Sequence, residues 1–517
     1  MCTGLVDQVT SLQISGRPIS RVPCDAIVVP FFANDVDVDG RKSNRARIIA
    51  GPGIEELNAA WGTDLLQLVS RDPSFSGAVG DSTLVLAPGS ETTVVVAVGV
   101  GSEASVDADA IRLAAMTAAR RSRGYRRMAT TLPQVGSDTA TAIRAVAEGF
   151  LLGCHDYLRP GAPAPGVATR APDSVALVVA SELARNALVR RSFEHGAHAG
   201  RMSSWIRQLV ETPGGQLTPS DLAEVLRTRG GEAGVTVKVW SERTMAARGF
   251  GATASVGAGS RNRPAVVELR AGSGATSRTL GLAGKGITFD SGGLNLKKDS
   301  GEIAWMKSDM AGAAAVAGAV FAAAEAGFDA PIHAILPLAE NMPGGNASRP
   351  GDVVTHPDGR TTEITDTDCE GRLVLADALA YLAATRPAGI IDVGTLTDGG
   401  GVGPSLWGCW ATDPTLAREL VAAGQIAGEP GWQLPLRPEY ELLMRSSVAD
   451  IVNCTLGTPD SGQMAATYLR TFTGDVPWVH IDNGSSAYLE QEAAPWPAGP
   501  TGSPARALLE LLFRRST

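Results

Sequence analysis

The stretch Thr279-Leu280-Gly281-Leu282-Ala283-Gly284-Lys285-Gly286-Ile287-Thr288-Phe289-Asp290-Ser291-Gly292-Gly293 decides the fold class. Thr279–Ala283 has the length and composition of a buried strand. Asp290 closes a second apolar run and meets Ser-Gly-Gly, which marks a strand end opening into a loop. Ligands of open α/β sheets bind at that carboxyl edge. Outward from this segment the pattern alternates. Upstream are a helix over Pro219–Arg227 and strands over Val235–Trp240 and Val266–Leu269. Downstream are a helix over Ala311–Ala326, a strand over Pro331–Leu336, a helix over Leu373–Ala384 and a strand over Gly389–Val393. Such alternation predicts a mostly parallel sheet with helices on its faces.

The first part of the chain repeats the rhythm. Asp25–Phe32, Thr92–Val98 and Ser174–Val179 read as strands, Val106–Ser122 and Thr139–Leu152 as helices. Arg159–Pro172 is too rich in Pro, Gly and Ala for regular structure. A long helical pattern over Glu182–Glu211 follows and stops at Pro213-Gly214-Gly215. A chain of 517 residues exceeds what one core organises. The expectation is two α/β domains, each a mixed or mostly parallel sheet flanked by helices, joined by a long helix. Residues 1–180 form the first, 181–211 the connecting helix, and 212–517 the second.

Composition excludes several classes. A net charge of −9 argues against a general nucleic-acid binder, which needs a basic face. Arg120, Arg121, Arg123, Arg126 and Arg127 cluster, as at a solvated helix end. Neither a signal-peptide core nor an apolar run of membrane-spanning length is found, and the six cysteines are scattered. These features predict a soluble cytoplasmic protein without membrane partners. Two phosphate-binding look-alikes fail. Gly99-Val100-Gly101-Ser102-Glu103-Ala104 follows a strand but lacks the acid about 20 residues on that holds a ribose. Gly284-Lys285-Gly286 lacks the Ser or Thr that a Walker lysine precedes.

Chemistry concentrates in two segments: Gly284–Gly293 with Lys297 and Met306–Met310, and Asp366-Thr367-Asp368-Cys369-Glu370-Gly371-Arg372-Leu373. If the second is extended, Asp368, Glu370 and Arg372 alternate onto one side. Asp309 leads directly into an apolar helix, and alone it would read as an N-cap. Four carboxylates so close repel one another, and divalent cations resolve the conflict. The six histidines form neither HExxH nor a close pair within these motifs, so zincin chemistry is not indicated. His195 and His198 share a face of the long helix and read as structural or exposed.

The segments GKGITFDSGG (284–293) and DTDCEGRLVLADAL (366–379) closely resemble the two signatures of the leucyl aminopeptidase (cytosol aminopeptidase) family. LVETPGGQLTPSDLAE, SRPGDVV, GTLTDGG and WVHIDNGSSAY follow the family order, so the resemblance covers most of the chain after about Gln208. It implies a metal-dependent aminopeptidase that removes N-terminal residues, Leu-like or other, from peptides by a water activated between two divalent ions, Mn²⁺ or Zn²⁺. It places Lys285, Asp290, Asp309, Asp368 and Glu370 at the metal-ligand positions, with Asp290 and Glu370 bridging. Lys297 falls on the catalytic lysine that polarises the scissile carbonyl, and Arg372 on the arginine that holds a bicarbonate. A lysine ligates only as the neutral amine, so nearby dications and burial would have to depress the pKa of Lys285. Relatives also imply a homohexamer.

Three departures accompany the resemblance. Asp366 replaces the usual Asn and Cys369 the usual Ala, and Cys369 makes the site a candidate for oxidation. The stretch from Lys297 to Asp309 is one residue longer than usual. Asp398 follows Thr395-Leu396-Thr397 where Gly is common, in the stretch that lines the pocket for the first substrate side chain. Thr395, Leu396 and Asp398 are therefore candidate substrate contacts. Asp398 either narrows or acidifies the pocket, or points away and caps the next loop. The rival reading from another class is a non-catalytic scaffold or regulator.

Overall fold

The computed structural model describes residues 10–516 apart from 35–46, 87–92, 158–169, 274–277, 330, 456–460 and 494–495. The start of the expected strand at Thr92, most of the irregular Arg159–Pro172 stretch and Cys2 lie outside the described residues. The chain divides into two compact units, Leu5–Ser204 and Trp205–Thr517, and the division falls inside a 25-residue helix, Ala187–Glu211. That helix starts five residues after the sequence pattern does. Asn186 explains the difference, because its side-chain oxygen accepts from the N–H groups of Leu188 and Val189 and so caps the first turn.

The first unit holds a seven-stranded sheet: β1 (Ser11–Ser15), β2 (Ala26–Asn34), β3 (Arg47–Ala50), β4 (Ser82–Leu86), β5 (Val94–Ser102), β6 (Arg127–Thr130) and β7 (Ser174–Val178). Their spatial order is β1-β7-β6-β2-β5-β4, with β3 on β2. All neighbours are parallel except the β4–β5 and β2–β3 pairs. Strands buried on both faces need no polar alternation, which is why AIVVPFF and VVVAVGV read as continuous apolar runs. At the end of β5, a Cβ on Gly99 would lie 2.0 Å from the Ala78 carbonyl oxygen, and Gly101 has φ of +78°. These glycines serve a tight strand exit, as the missing ribose acid implied. Arg123, Arg126 and Arg127 each pair with an acid, Asp156, Asp173 and Asp25 respectively.

The second unit is built on a nine-stranded sheet. Its strands are β8 (Thr236–Trp240), β9 (Ala265–Ala271), β10 (Leu280–Gly284), β11 (Gly286–Asp290), β12 (Ile332–Asn341) and, after a small hairpin of β13 (Val353–Thr355) and β14 (Thr361–Glu363), β15 (Gly389–Gly394), β16 (Trp407–Ala411) and β17 (Gly431–Gln433). β18 (Ile451–Val452) joins the hairpin, and β19 (Trp478–Asp482) completes the large sheet in the order β17-β16-β19-β15-β10-β12-β9-β8. The centre, β19-β15-β10-β12, is parallel, while β8, β9 and the β16–β19 pair are antiparallel.

The central strands carry apolar side chains on both faces. Ala283, Ile287, Ile335, Ala339 and Ile390 pack with the helix Glu370–Ala384. The alternate positions face the helix Ala311–Glu325, whose Ala313 approaches within 2.7 Å of where a Cβ on Gly284 would stand. That helix is almost wholly Ala, Gly and Val, and 13 of its residues are buried. Small side chains let its backbone lie directly on the sheet, with Gly312 against the Val393 carbonyl. Among the described residues, no helix is long and apolar enough to cross a membrane.

Candidate metal centre

β10 and β11 are one strand interrupted at Lys285. Leu280–Ala283 pair with Ile332–Ile335, and Gly286–Asp290 resume pairing with Leu338–Asn341 of the same β12. At the break the Lys285 N–H donates to the Val393 carbonyl, 2.9 Å away, and its carbonyl accepts from Ala313 N–H at 2.8 Å. The second contact takes up one of the free N–H groups at the helix start. The interruption throws the Lys285 side chain into the carboxyl edge of the sheet. Gly371 leaves room for it, since a Cβ there would be 2.6 Å from Lys285 Nζ.

Four acids converge on that side chain and on Lys297. Lys285 Nζ lies 2.7 Å from Asp309 Oδ1 and 2.8 Å from Glu370 Oε1, and donates to the Thr395 carbonyl at 2.8 Å. Lys297 Nζ lies 3.0 Å from Asp290 Oδ2 and 2.8 Å from Asp368 Oδ1. Carboxylate oxygens of Asp290, Asp368 and Glu370 all fall within 4.8 Å of one another. Lys285, Asp290, Asp309 and Glu370 are each no more than 4 % exposed. The longer stretch between Lys297 and Asp309, which holds a short helix (Ser300–Trp305), does not keep Asp309 away from Lys285.

Supporting residues fix these groups. Asp290 Oδ1 accepts from Gly292 N–H and from Asn341 Nδ2, both at 2.8 Å. Thr395 Oγ1 donates to Asp309 Oδ1 at 2.6 Å, so Thr395 orients a candidate ligand with its side chain and Lys285 with its carbonyl. Gly292 and Gly293 take φ of +86° and +67°, where only Gly is unstrained. A Cβ on Gly292 would also lie 2.8 Å from Asp368 Oδ1. Asn341 and Asn453 escaped the sequence reading. The signal for Asn341 was its place at the end of the apolar run IHAILPLAEN. Asn453 gave none.

Arg372 lies elsewhere than the extended reading implied. Asp366–Asp368 form a turn and Glu370 is already the first residue of a helix, so Glu370 and Arg372 point about 200° apart around it. Buried Arg372 donates through Nη1 to the Asn453 carbonyl at 2.8 Å. The helix begins three residues before the expected Leu373, which sets the Glu370 carboxylate in its first turn, where the dipole favours negative charge. Leu396 is partly buried and packs on the core beneath the site. Asp398 is exposed, and its Oδ1 accepts from Gly400 and Gly401 N–H, both at 3.1 Å. No histidine joins the cluster among the described residues. His333, His356 and His480 are buried against Glu268, Asp377 and Asp392, and burial with nearby Arg144 pushes His195 down to about 3.

The electrostatics are those of an anionic pocket. Burial, then repulsion from neighbouring carboxylates, raises Asp368 to about 7 and pushes Glu370 up. Burial raises Asp309 well above the carboxylate range despite the Lys285 ammonium. Burial pulls Lys285 down, but Asp309, Glu370 and Asp290 outweigh it and the result is a raised value. The protein's own groups therefore favour the ammonium, and the expected depression of Lys285 requires a cation to replace its proton. Asp309 Oδ2 and Glu370 Oε2 are buried with no hydrogen-bond partner. Buried carboxylate oxygens left in this way are costly unless something positive meets them. The donor set, carboxylates plus one amine, fits divalent cations of the Mg²⁺, Mn²⁺ and Zn²⁺ type.

The chain matches known proteins over nearly its whole length. The profile of the cytosol aminopeptidase family catalytic domain matches residues 204–509, and that of its N-terminal domain residues 28–159. A probable cytosol aminopeptidase of Streptomyces griseus subsp. griseus is 37% identical, with 98% of each chain covered. Another from Corynebacterium diphtheriae is 36% identical over 99% of this chain and 97% of its own. Among solved structures, the bottromycin maturation enzyme BotP, also solved in complex with Mn, gives a TM-score of 0.80 at 33% identity, covering 96% of this chain and 100% of its own. A mutant tomato leucine aminopeptidase gives 0.83 at 28% identity, covering 98% and 96%. The chain belongs to the cytosol aminopeptidase family and is a metalloexopeptidase of that aminopeptidase type.

Proposed function

We propose that two divalent cations, Mn²⁺ or Zn²⁺, are held by Lys285, Asp290, Asp309, Asp368 and Glu370, and that the enzyme removes N-terminal residues from peptides. The observation that carries this is the pair of buried, partnerless oxygens, Asp309 Oδ2 and Glu370 Oε2, within a cluster of four acids and two lysines. Such ions supply a bound water of lowered pKa and a Lewis acid. Lys297 belongs to the same cluster, and its raised pKa keeps an ammonium ready for the developing oxyanion: burial lowers it, but Asp290, Glu370 and Asp368 prevail. A peptide's free α-amino group would serve as a further ligand to such an ion, which favours attack at the first residue only.

Arg372, a buried guanidinium in the first turns of the helix Glu370–Ala384, is the proposed bicarbonate holder. The backbone of the segment Thr395–Asp398 is proposed to run along the pocket for the first side chain, with the Asp398 carboxylate turned toward its own loop. Residues 1–180, 181–211 and 212–517 are the proposed N-terminal domain, connector and catalytic domain. A homohexamer in the cytoplasm, acting on peptides and not on nucleic acid, completes the proposal, with the acidic charge balance as its support.

Hydrolysis of leucine p-nitroanilide by chelator-stripped protein, then refilled with Mn²⁺, Zn²⁺, Co²⁺ or Mg²⁺, tests it. Activity should vanish on stripping and return with Mn²⁺ or Zn²⁺. Activity indifferent to chelation, or absent with every metal and several N-terminal residues, would overturn it.

A further inference from the structure

Beside the acidic centre, a second set of ligand atoms converges. A carboxylate oxygen of Asp366 and the sulfurs of Cys369 and Cys454 lie within 4.8 Å of one another. The backbone brings them together. β14 pairs in parallel with β18, which carries Asn453 and Cys454 alongside the turn after β14. The Asn453 side chain then clamps that turn. Its Nδ2 donates to the carbonyls of Asp366 at 2.7 Å and Cys369 at 3.3 Å, and its Oδ1 accepts from Thr365 N–H at 2.8 Å. Thr365 Oγ1 donates to the Cys454 carbonyl at 2.6 Å. Asp366 Oδ1 accepts from Asp368 N–H at 2.9 Å, which orients the carboxylate and leaves further lone pairs.

We propose that Asp366, Cys369 and Cys454 form a binding site for a thiophilic divalent cation of the zinc class, distinct from the lysine–carboxylate centre. Two sulfurs and one oxygen suit Zn²⁺, Co²⁺ or Cd²⁺ and disfavour Mg²⁺ and Mn²⁺. Tetrahedral ligands at about 2.0–2.3 Å stand roughly 3.3–3.8 Å apart, so side-chain rotation of these three groups closes the set. Asp366 is only partly buried, which leaves water a fourth position. Each thiol releases its proton to solvent as the cation binds. Two of the three ligands, Asp366 and Cys369, are the departures from the family signature, so the site is a property of this chain's own residues. No disulfide joins the cysteines. The inference does not depend on how many ions the neighbouring centre holds.

The test is optical. Protein loaded with Mn²⁺ and kept reduced with a phosphine is titrated with Co²⁺, and the near-ultraviolet sulfur-to-cobalt charge-transfer band is followed. Carboxylates and an amine give no such band, so cobalt exchanging into the neighbouring centre leaves the readout unchanged. The expected result is a band that saturates at one Co²⁺ per chain, weakens in Cys369→Ala or Cys454→Ala, and is lost in the double variant. Asp366→Asn should keep the band and weaken Co²⁺ binding by roughly tenfold. No band in the unsubstituted protein, a band that survives the double substitution, or an affinity indifferent to Asp366→Asn would each overturn the site.

Discussion

Buried charge takes opposite forms in the two units. In the first, Arg112 Nε meets Glu148 Oε1 at 2.9 Å in the helical layer, cation matched to anion. In the second, four carboxylates share two lysines at the edge of the sheet, and the buried Asp309 Oδ2 and Glu370 Oε2 have no hydrogen-bond partner. A matched pair is a structural solution, since it settles its own desolvation. An unmatched excess is a cost that only a further positive group removes. Both units have the same architecture of parallel strands ending in glycine-rich turns. What separates them is the residue at the strand exit: Gly-Val-Gly-Ser at the end of β5, Lys285 and Asp290 around β11. Architecture alone therefore does not mark the site, but charge imbalance does.

The largest break of that contrast is Glu370→Gln. It should lower kcat for leucine p-nitroanilide by roughly 10³-fold, yet raise the thermal midpoint of chelator-treated protein, because one of the repelling charges is gone. A lower midpoint would mean that the cluster is a structural network. Lys297→Met should cost about 10²–10³-fold in kcat, with bound metal retained, as measured by elemental analysis. In the first unit the sign reverses. Glu148→Gln should leave activity per folded molecule unchanged and lower stability by about 3 kcal/mol in denaturant titration, with Arg112 left beside Asp109.

A pH measurement sharpens the same point. Asp368 is raised from its ordinary value of 3.8 to about 7, by burial first and by Asp290 and Glu370 second. Between those values the folded protein binds more protons than the unfolded, so stability falls as pH rises. Compared with Asp368→Asn, chelator-treated wild type should be equally stable near pH 4 and progressively less stable up to pH ~7. A gap that stays constant with pH would show that the carboxylate is not strained by its neighbours.

Most of this site was legible in the chain because its parts are local. Lys285 and Asp290 frame one interrupted strand, and Asp368 and Glu370 one turn, so adjacent residues announce each other. The strands β8 to β12 and β15 of the second sheet were legible for a similar reason, as apolar runs between helical patterns, whereas β16, β17 and β19 were not read as strands. What stayed hidden depends on distant pairing. Asn341 reaches Asp290 only because β12 lies beside β11, and Asn453 and Cys454 reach the Asp366 turn only through the β14–β18 pairing. The condition for Asp368, Glu370 and Arg372 to share one side, an extended segment, is not met, because a helix starts at Glu370.

The smallest expected effect concerns Asp398, an exposed acid that is neither matched by a cation nor left without partners. Gly399, Gly400 and Gly401 follow it with φ of +70°, +78° and +75°, a turn whose N–H groups point inward at the Asp398 carboxylate. Those two hydrogen bonds hold Oδ1 toward its own loop. Asp398→Gly should therefore leave the ranking of Leu-, Met-, Arg- and Ala-amide hydrolysis unchanged and cost about 0.5–1.5 kcal/mol of stability through the lost bonds. Asp398→Asn, which keeps the accepting oxygen, should recover most of that loss. A shift of preference toward Leu in both variants would instead place the negative charge against the substrate, since only the charge is common to the two changes.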